Sequence, residues 1–182
     1  MNAPTVPGLT IRDAAAADMA AIAGIYRGHV LHGLASFEVE PPSPGEMDAR
    51  RRAVREAGLP YYAAELDGAV AGYAYAALYR TRVGYRYTVE DSIYVSPGYG
   101  RRGIGLALLD AVVARCTALG YRQMLAVIGD SANLASIRLH EKAGFRRAGT
   151  LPSVGFKLGR WVDAVLMQRP LGPGDTRLPG ES

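Results

Sequence analysis

A glycine-rich segment at residues 97–105 is the part of the sequence best suited to bind an anion. It lies between a strand pattern and a helical pattern, and its residues 100–105 contain three spaced glycines and two adjacent arginines (Gly100, Arg101, Arg102, Gly103 and Gly105). Glycine lets the main chain approach a ligand closely, and the first N–H groups of a helix have no partner within the helix. Together with the positive end of the helix dipole, these groups predict a phosphate site. A tight connection that simply needs glycine is the alternative.

A carboxylate in the preceding strand pattern is suited to general-base chemistry. Glu90 lies within residues 87–95, among β-branched and aromatic neighbours whose packing would raise the pKa of its carboxyl group. Side chains alternate along a strand, so Glu90 shares a face with Thr88, Ser92 and Tyr94. A carboxylate with a pKa near neutrality can take a proton from an amine. An ordinary carboxylate on an edge strand is the alternative on residue types alone.

A polar stripe lies on the helical pattern at residues 132–143. Asn133, Ser136 and His140 are spaced three and four residues apart, which places their side chains on one face of the helix. Histidine exchanges a proton near neutral pH, so His140 is the candidate acid or proton relay. A neutral imidazole that only binds a main-chain carbonyl is the alternative.

Periodicity and turn signals predict the elements that position these side chains. Ser43-Pro44-Gly45-Glu46 combines a capping box with proline at the first helical position. Asp67-Gly68 is a two-residue turn signal between two strand patterns. The predicted order is a strand at 9–13, a helix at 18–31, a helix from Pro44 to before Gly58, strands at 61–66, 69–79 and 87–95, a helix at 106–119, a strand at 121–128, a helix at 132–143, and strands at 145–151 and 160–169.

This order predicts a mixed α/β domain with a largely antiparallel central sheet flanked by helices. The chain has 182 residues, enough for one core but not for two, so we expect a single domain at residues 9–169. Residues 1–8 and 170–182 are rich in proline and glycine, and we expect them to be flexible termini.

Composition narrows the range of partners. The net charge is +4, but the arginines are scattered rather than grouped in a stripe, so we expect no nucleic-acid partner. The absence of a long apolar run and of a signal-peptide pattern predicts no membrane partner and a cytoplasmic location. Cys116 is interpreted as a core residue, and no metal-ligand spacing is present, so we expect no metal.

Several separate segments resemble the GNAT superfamily of N-acetyltransferases. The glycine loop is similar to the Gln/Arg-x-x-Gly-x-Gly/Ala signature of that superfamily, with Gly100 where Gln or Arg is usual. The resemblance spans about residues 10–169 and is closest to the phosphinothricin and methionine sulfoximine acetyltransferase group. That group commonly has Gly-Tyr-Lys where this chain has Gly155-Phe156-Lys157. The matching segments are residues 35–38, 88–95, 126–129, 136–141 and 155–163.

The resemblance implies the GNAT fold, acetyl-CoA as co-substrate and roles for the candidate residues. The loop amides would bind the pyrophosphate of acetyl-CoA, and the strand end and the polar stripe would follow its pantetheine arm. The implied acetyl-CoA contacts are Ile93, Tyr94, Val95, Gly100, Arg101, Arg102, Gly103, Ile104, Gly105, Leu106, Asn133 and Ser136. A glutamate matching Glu90 is the proposed base in related enzymes, and many members have a tyrosine acid near the position of His140.

A small amino-acid-like amine is the implied substrate, and a homodimer the implied assembly. Residues 78–85 match a basic and aromatic loop of the group, and arginine binds a carboxylate or phosphinate through paired hydrogen bonds. The implied substrate contacts are Phe37, Arg80, Arg82, Tyr85 and Lys157, with Trp161 as a neighbour of the site or a core residue. A solvated hairpin is the alternative for the loop. For the whole chain, the alternatives are a protein or peptide N-terminal acetyltransferase and a non-catalytic acyl-CoA sensor.

Overall fold

Seven strands and four α-helices make up the fold over residues 6–179, which are the residues that the computed structural model describes. The mixed α/β prediction is confirmed. The elements are β1 (Leu9–Asp13), α1 (Met19–His32), α2 (Pro44–Glu56), β2 (Tyr61–Leu66), β3 (Ala69–Leu78), β4 (Thr88–Val95), α3 (Ile104–Ala118), β5 (Gln123–Gly129), α4 (Leu134–Lys142), β6 (Arg146–Lys157) and β7 (Arg160–Pro170).

The strands form one sheet in the order β1-β2-β3-β4-β5-β7-β6. The pairing of β4 with β5 is parallel, and every other neighbouring pair is antiparallel. The largely antiparallel sheet is therefore confirmed. The single parallel pair stands at the centre, between an antiparallel β1–β4 unit and an antiparallel β5–β7–β6 unit.

Helices cover both faces of the sheet, because strand alternation sends apolar side chains to each side. On one face, α1 and α2 pack on Tyr61, Ala63 and Tyr73. On the other, α3 packs on alternate positions of the same strands, including Ala64 and Ala74, and α4 contacts α3 and β5. Tyr61, Tyr73, Tyr75 and Tyr94 stack along the first face, with ring centroids 5.1 to 6.4 Å apart between neighbours.

Local signals in the sequence account for the start of α2. The Ser43 side chain accepts from the Glu46 N–H, and the Glu46 side chain accepts from the Ser43 N–H at 2.6 Å. This reciprocal cap satisfies two helix-end donors, and Pro44 lacks the donor that would otherwise be unpaired.

The strand β6 is longer than its sequence pattern predicts. The predicted strand ends at residue 151, whereas β6 continues to Lys157 through a register shift between Leu151 and Gly155. The Asp163 side chain accepts from the Ser153 N–H at 2.9 Å within this irregular stretch. A bulge thus accommodates Pro152, which would otherwise interrupt a strand.

The expected flexible termini fall partly outside the described residues, at 1–5 and 180–182. Within the described part, the Leu171 side chain is buried and its N–H donates to the Arg122 carbonyl at 2.9 Å. Packed structure thus reaches at least Leu171, and the flexibility of the ends stays a prediction. No helix in the part of the chain described here has the length and apolarity needed to cross a membrane.

Candidate active site

The strands β4 and β5 separate in the middle of the sheet. Their pairing ends at Asp91 and Ala126, although β4 continues to Val95 and β5 to Gly129. The Ser96 N–H donates to the Ala71 carbonyl on the β3 side. By alternation, the main-chain groups of Ile93 and Val95 face the opening, without a strand partner on that side.

Of the three predicted strand-end contacts, Ile93 and Val95 therefore present their main-chain groups to the opening, and Tyr94 does not. The main-chain groups of Tyr94 point to β3, and its ring packs edge-on against Tyr26 at 4.8 Å and His29 at 5.3 Å. His29 Nε2 lies 3.1 Å from the Val95 carbonyl oxygen. Sequence analysis did not single out His29, because nothing in a helical pattern shows which distant carbonyl its histidine reaches.

A cavity of about 430 Å³ lies at this opening. Four parts of the chain line it, together with Tyr26: the loop at residues 35–38, β4 at 90–94, β5 at 126–128, and Ser136 and His140 of α4. The structure thus brings Glu90, Ile93, Tyr94, Ser136, His140 and Phe37 of the sequence candidates to one place. Its lining includes neighbouring residues of β4 whose side chains alternate between the two faces, such as Glu90 and Asp91.

Glu90 lies in the cavity wall on the same strand face as Ser92 and Tyr94. Burial raises the pKa of its carboxyl group, and the negative charge of Asp91 raises it further, while Arg80 opposes the shift. A raised pKa brings a carboxylate closer to the range in which it exchanges protons with an amine.

His140 is buried against a carboxylate that sequence analysis missed. His140 Nε2 lies 3.1 Å from Asp91 Oδ2, and Nδ1 lies 2.8 Å from the Ser136 carbonyl oxygen. Burial lowers the pKa of His140, but its hydrogen bond with Asp91, the charge of Asp91 and the Ser136 carbonyl together raise it. Asp91 shares the apolar side of β4 with Val89 and Ile93, and a carboxylate buried among apolar side chains needs a polar partner. Its position in the strand pattern was therefore the signal in the sequence that could have indicated such a partner.

Asn133 and Ser136 lie at the start of α4. The Asn133 side-chain oxygen accepts from the Ser136 N–H at 3.2 Å, which makes Asn133 the N-cap of the helix. The Asn133 side chain therefore has a structural role as the cap of α4, in addition to any contact with a ligand. Ser136 Oγ lies 3.4 Å from His140 Nδ1.

The glycine loop has the amide pattern that an anion site needs. Arg101 and Gly103 have positive φ angles of 63° and 82°, and α3 begins at Ile104. Among the described residues, none of the main-chain N–H groups of residues 101–106 donates to a main-chain carbonyl. These N–H groups lie at the positive end of the α3 dipole.

The side chains of this loop have different environments. Ile104 is a core residue, Gly105 faces Leu139 of α4, and Leu106 is half-buried. Gly100, Arg101 and Arg102 are exposed, and the Arg102 guanidinium lies 5.5 Å from the centre of the Tyr99 ring. The exposed side chains of Arg101 and Arg102 can therefore add positive charge to the anion site that the loop amides form.

The predicted substrate residues are not all brought together. Phe37 forms part of the cavity wall, and Lys157 is buried beside the same loop, with Nζ donating to the Ser36 carbonyl at 2.5 Å. Burial lowers the pKa of Lys157, and Glu38 partly opposes this. By contrast, Arg80, Arg82 and Tyr85 are exposed on the connection between β3 and β4, outside the cavity lining.

A polar network that was not predicted supports the loop at residues 35–38. The Tyr26 hydroxyl lies 2.8 Å from Ser36 Oγ and donates to Glu38 Oε1 at 2.8 Å. Arg50 of α2 donates two hydrogen bonds to the Glu38 carboxylate, at 2.7 and 3.1 Å. This network links α1, α2 and the loop, and its partners are too far apart in the chain for spacing to reveal them.

The predictions for Cys116 and for metal ligands concern groups outside this site. Cys116 is buried in the core on α3, and burial raises the pKa of its thiol to about 12. A thiol with that pKa stays protonated at neutral pH and is a poor nucleophile. No cluster of three or more His, Cys, Asp or Glu side chains suited to a metal ion was found within residues 6–179.

Known proteins resemble this chain over most of its length. Residues 29–145 match the sequence profile of the acetyltransferase (GNAT) family. The chain is 53% identical over 170 residues to phosphinothricin N-acetyltransferase of Alcaligenes faecalis, which covers 93% of this chain and 86% of the relative. It is 40% identical to an L-methionine sulfoximine/L-methionine sulfone acetyltransferase of Salmonella typhimurium, over 90% of this chain and 95% of the relative. A crystal structure of a phosphinothricin acetyltransferase from Sinorhizobium meliloti in complex with AcCoA superposes with a TM-score of 0.92 at 50% identity, covering 96% and 95% of the two chains.

Proposed function

The chain belongs to the acetyltransferase (GNAT) family, and from this premise we propose that it transfers the acetyl group of acetyl-CoA to the primary amine of a small amino-acid-like substrate. Phosphinothricin, methionine sulfoximine and related amino acids are the substrates that the names of its relatives suggest. The observation that carries the proposal is the position of Glu90 in the cavity where β4 and β5 separate. In this proposal the amine attacks directly, without a covalent enzyme intermediate, and the cysteine thiol that could form one is buried in the core at Cys116.

Acetyl-CoA fits the groups that the chain leaves unpaired. The free N–H groups of residues 101–106 suit a pyrophosphate, and the exposed Arg101 and Arg102 add charge to that site. The main-chain groups of Ile93 and the N–H of Val95 face the opening without a strand partner, which suits an amide-bearing arm that binds as an added strand would, while His29 contacts the Val95 carbonyl. When bound, acetyl-CoA supplies the activated acetyl group.

Glu90 is the proposed general base. Its carboxylate takes the proton that the attacking amine must lose, directly or through a water molecule. Two further carboxylates, Glu38 and Asp91, line the same cavity. Asp91 is paired with His140 and Glu38 with Arg50, so among the described residues Glu90 is the carboxylate of this cavity without a hydrogen-bonded basic partner, and it is the one we propose accepts the proton.

We propose that cations near the cavity bind the acidic end of the substrate. Lys157 lies behind the loop that carries Phe37, and it uses one of its three N–H donors on Ser36. Arg80 and Arg82 stand on the exposed β3–β4 connection with Tyr85, and they reach the substrate only if that connection folds over the opening. Phe37 would form an apolar wall for the substrate side chain.

We also propose a homodimer, formed through the hairpin of β6 and β7. An apolar surface lies on this hairpin, and its members are 46% to 66% exposed (Leu151, Val154, Phe156, Leu158 and Trp161). The rings of Phe156 and Trp161 pack edge-on at 5.4 Å. An exposed apolar patch of this kind is typical of a protein interface. This surface adjoins Lys157 and Gly155, so a second copy would sit beside the cavity.

We place the enzyme in the cytoplasm, with a small-molecule amine as its partner and no metal, nucleic acid or membrane required. Acetylation of an amino acid analogue blocks its amine, which supports a role in resistance to such compounds. We propose that no metal is required because proton transfer to Glu90 needs a carboxylate but no Lewis acid.

An acceptor panel tests the proposed function. Release of the coenzyme A thiol from acetyl-CoA would be measured with phosphinothricin, methionine sulfoximine, the standard amino acids, an aminoglycoside and a short peptide. We expect turnover with one or more free amino acids or their analogues. Turnover with the peptide alone would replace this proposal with N-terminal peptide acetylation, and binding of acetyl-CoA without any turnover would indicate an acyl-CoA sensor.

A further inference from the structure

Asp91 is the most buried of the three carboxylates that line the cavity, with 6% of its surface exposed. Its Oδ2 meets His140 Nε2 at 3.1 Å, whereas its Oδ1 is buried without a hydrogen-bond partner within the described residues. A buried charge needs a nearby partner to offset its lost hydration. His140 is the group that fills this need for Asp91.

The hydrogen bonds of His140 define its protonation. The Ser136 carbonyl can only accept, so the 2.8 Å contact with Nδ1 requires a proton on Nδ1. The 3.1 Å contact between Nε2 and Asp91 Oδ2 holds one further proton between the two groups. With that proton on Nε2, both ring nitrogens are donors and His140 is an imidazolium.

The groups around this pair are compatible with a fixed cation. The Phe145 ring packs edge-on against His140 at 5.1 Å, after the end of α4. Cys116 of α3 lies near Asp91, and burial raises the pKa of its thiol to about 12, so it carries no charge at neutral pH. Glu90 points to the opposite face of β4, by strand alternation.

We propose that Asp91 is a positioning residue for acetyl transfer, which holds His140 as a fixed cation in the wall of the β4–β5 opening to stabilise the leaving sulfur. This inference rests on the proposed function. In the transfer, the amine nitrogen bonds to the acetyl carbon, the carbon–sulfur bond breaks with its electron pair going to sulfur, and the amine proton passes to Glu90. His140 acts through its charge and keeps both protons, because each already has an acceptor. The leaving thiolate then takes its proton from solvent.

The acidity of the bound coenzyme A thiol tests this inference. The thiolate absorbance of coenzyme A bound to the wild-type protein would be titrated with pH, with the desulfo-coenzyme A complex as the blank. We expect the acid dissociation constant of the thiol to be roughly tenfold or more above that of free coenzyme A, because a neighbouring cation favours the thiolate. The Asp91→Asn variant should lose this shift. Asp18→Asn is the matched control, since it removes a similarly buried carboxylate from its pair with Arg12 away from the cavity.

A second measurement needs no change at Asp91. Nitrogen NMR of ring-labelled histidine in the wild-type protein, assigned with His29→Gln and His32→Gln, should show both His140 ring nitrogens protonated at neutral pH. A neutral His140 ring would overturn the inference, as would a bound thiol as weakly acidic as the free one. Failure of the wild-type protein to retain coenzyme A would instead overturn the proposed function itself.

Discussion

The ring of Phe37 lies directly against the main chain of Gly155. A Cβ atom added at Gly155 would be 2.1 Å from Phe37 Cε1, which is far inside van der Waals contact. Two residues further along β6, Lys157 donates to the Ser36 carbonyl of the same loop. The end of β6 therefore sets the position of the loop that forms one wall of the cavity.

Replacing Gly155 with alanine should displace the Phe37 ring and weaken use of the amine substrate. The ring must move to relieve this overlap, so we expect kcat/KM for the amine to fall roughly tenfold or more, with little change in the KM for acetyl-CoA. Steady-state kinetics with each substrate varied in turn would measure both. Gly149→Ala is the control on the same strand, since a Cβ there meets nothing within 4 Å. Equal effects of the two changes would mean that Phe37 does not contact the amine.

Replacing Glu90 with glutamine should remove the base while leaving the shape of the cavity. General-base catalysis contributes about a hundredfold or more, and we expect a loss of that order in kcat. Burial and Asp91 raise the pKa of Glu90 above its ordinary 4.5, so wild-type turnover should fall as pH drops through that raised pKa, where the base becomes protonated. The variant should lack this acidic limb. A pH series of kcat and a calorimetric titration with acetyl-CoA would test both points, and unchanged kcat would remove Glu90 from this role.

Elements with local signals were predictable from the sequence, whereas contacts between distant elements were not. The cap at Ser43 and the turn at Asp67-Gly68 act within a few residues, so the bounds of α2, β2 and β3 follow closely from the residue types. The extension of β6 beyond Pro152 depends on a bulge held by the side chain of Asp163 on the next strand. No local pattern could show that contact.

The candidate site also has residues that the sequence predicts and contacts that it does not. Alternation along β4 placed Glu90 on a polar face, but the same alternation grouped Asp91 with apolar residues and concealed its partner on α4. The family resemblance and the chemistry of arginine predict Arg80 and Arg82 as substrate contacts, whereas the fold leaves both on an exposed connection. Residue type indicates what a side chain can bind, while the packing of the helices decides which side chains meet.

Replacing Gly103 with valine should abolish acetyl-CoA binding. Gly103 precedes α3 at a φ of 82°, a conformation that costs a β-branched residue roughly 1–3 kcal/mol or more. The loop would change shape to relieve the strain, and the N–H groups of residues 101–106 would no longer converge. Calorimetric titration with acetyl-CoA would measure the loss, and thermal unfolding would show that the variant is folded. Gly98→Ala is the control in the same segment, because Gly98 lacks both a positive φ and a close neighbour. Tight binding by Gly103→Val would place the pyrophosphate elsewhere.

Replacing Trp161 with serine should weaken the proposed homodimer. Trp161 is 66% exposed on the β6–β7 hairpin and packs on Phe156, so it is the largest apolar group that a second copy could cover. Loss of a central tryptophan from an interface costs about 2 kcal/mol or more, which corresponds to a rise of roughly thirtyfold in the dissociation constant. Sedimentation equilibrium over a range of concentrations would measure it. Val83→Ser is the matched control, since Val83 is 75% exposed on the β3–β4 connection, away from the hairpin. A wild-type protein that stays monomeric at high concentration, or a dimer that both variants leave intact, would exclude this surface as the interface.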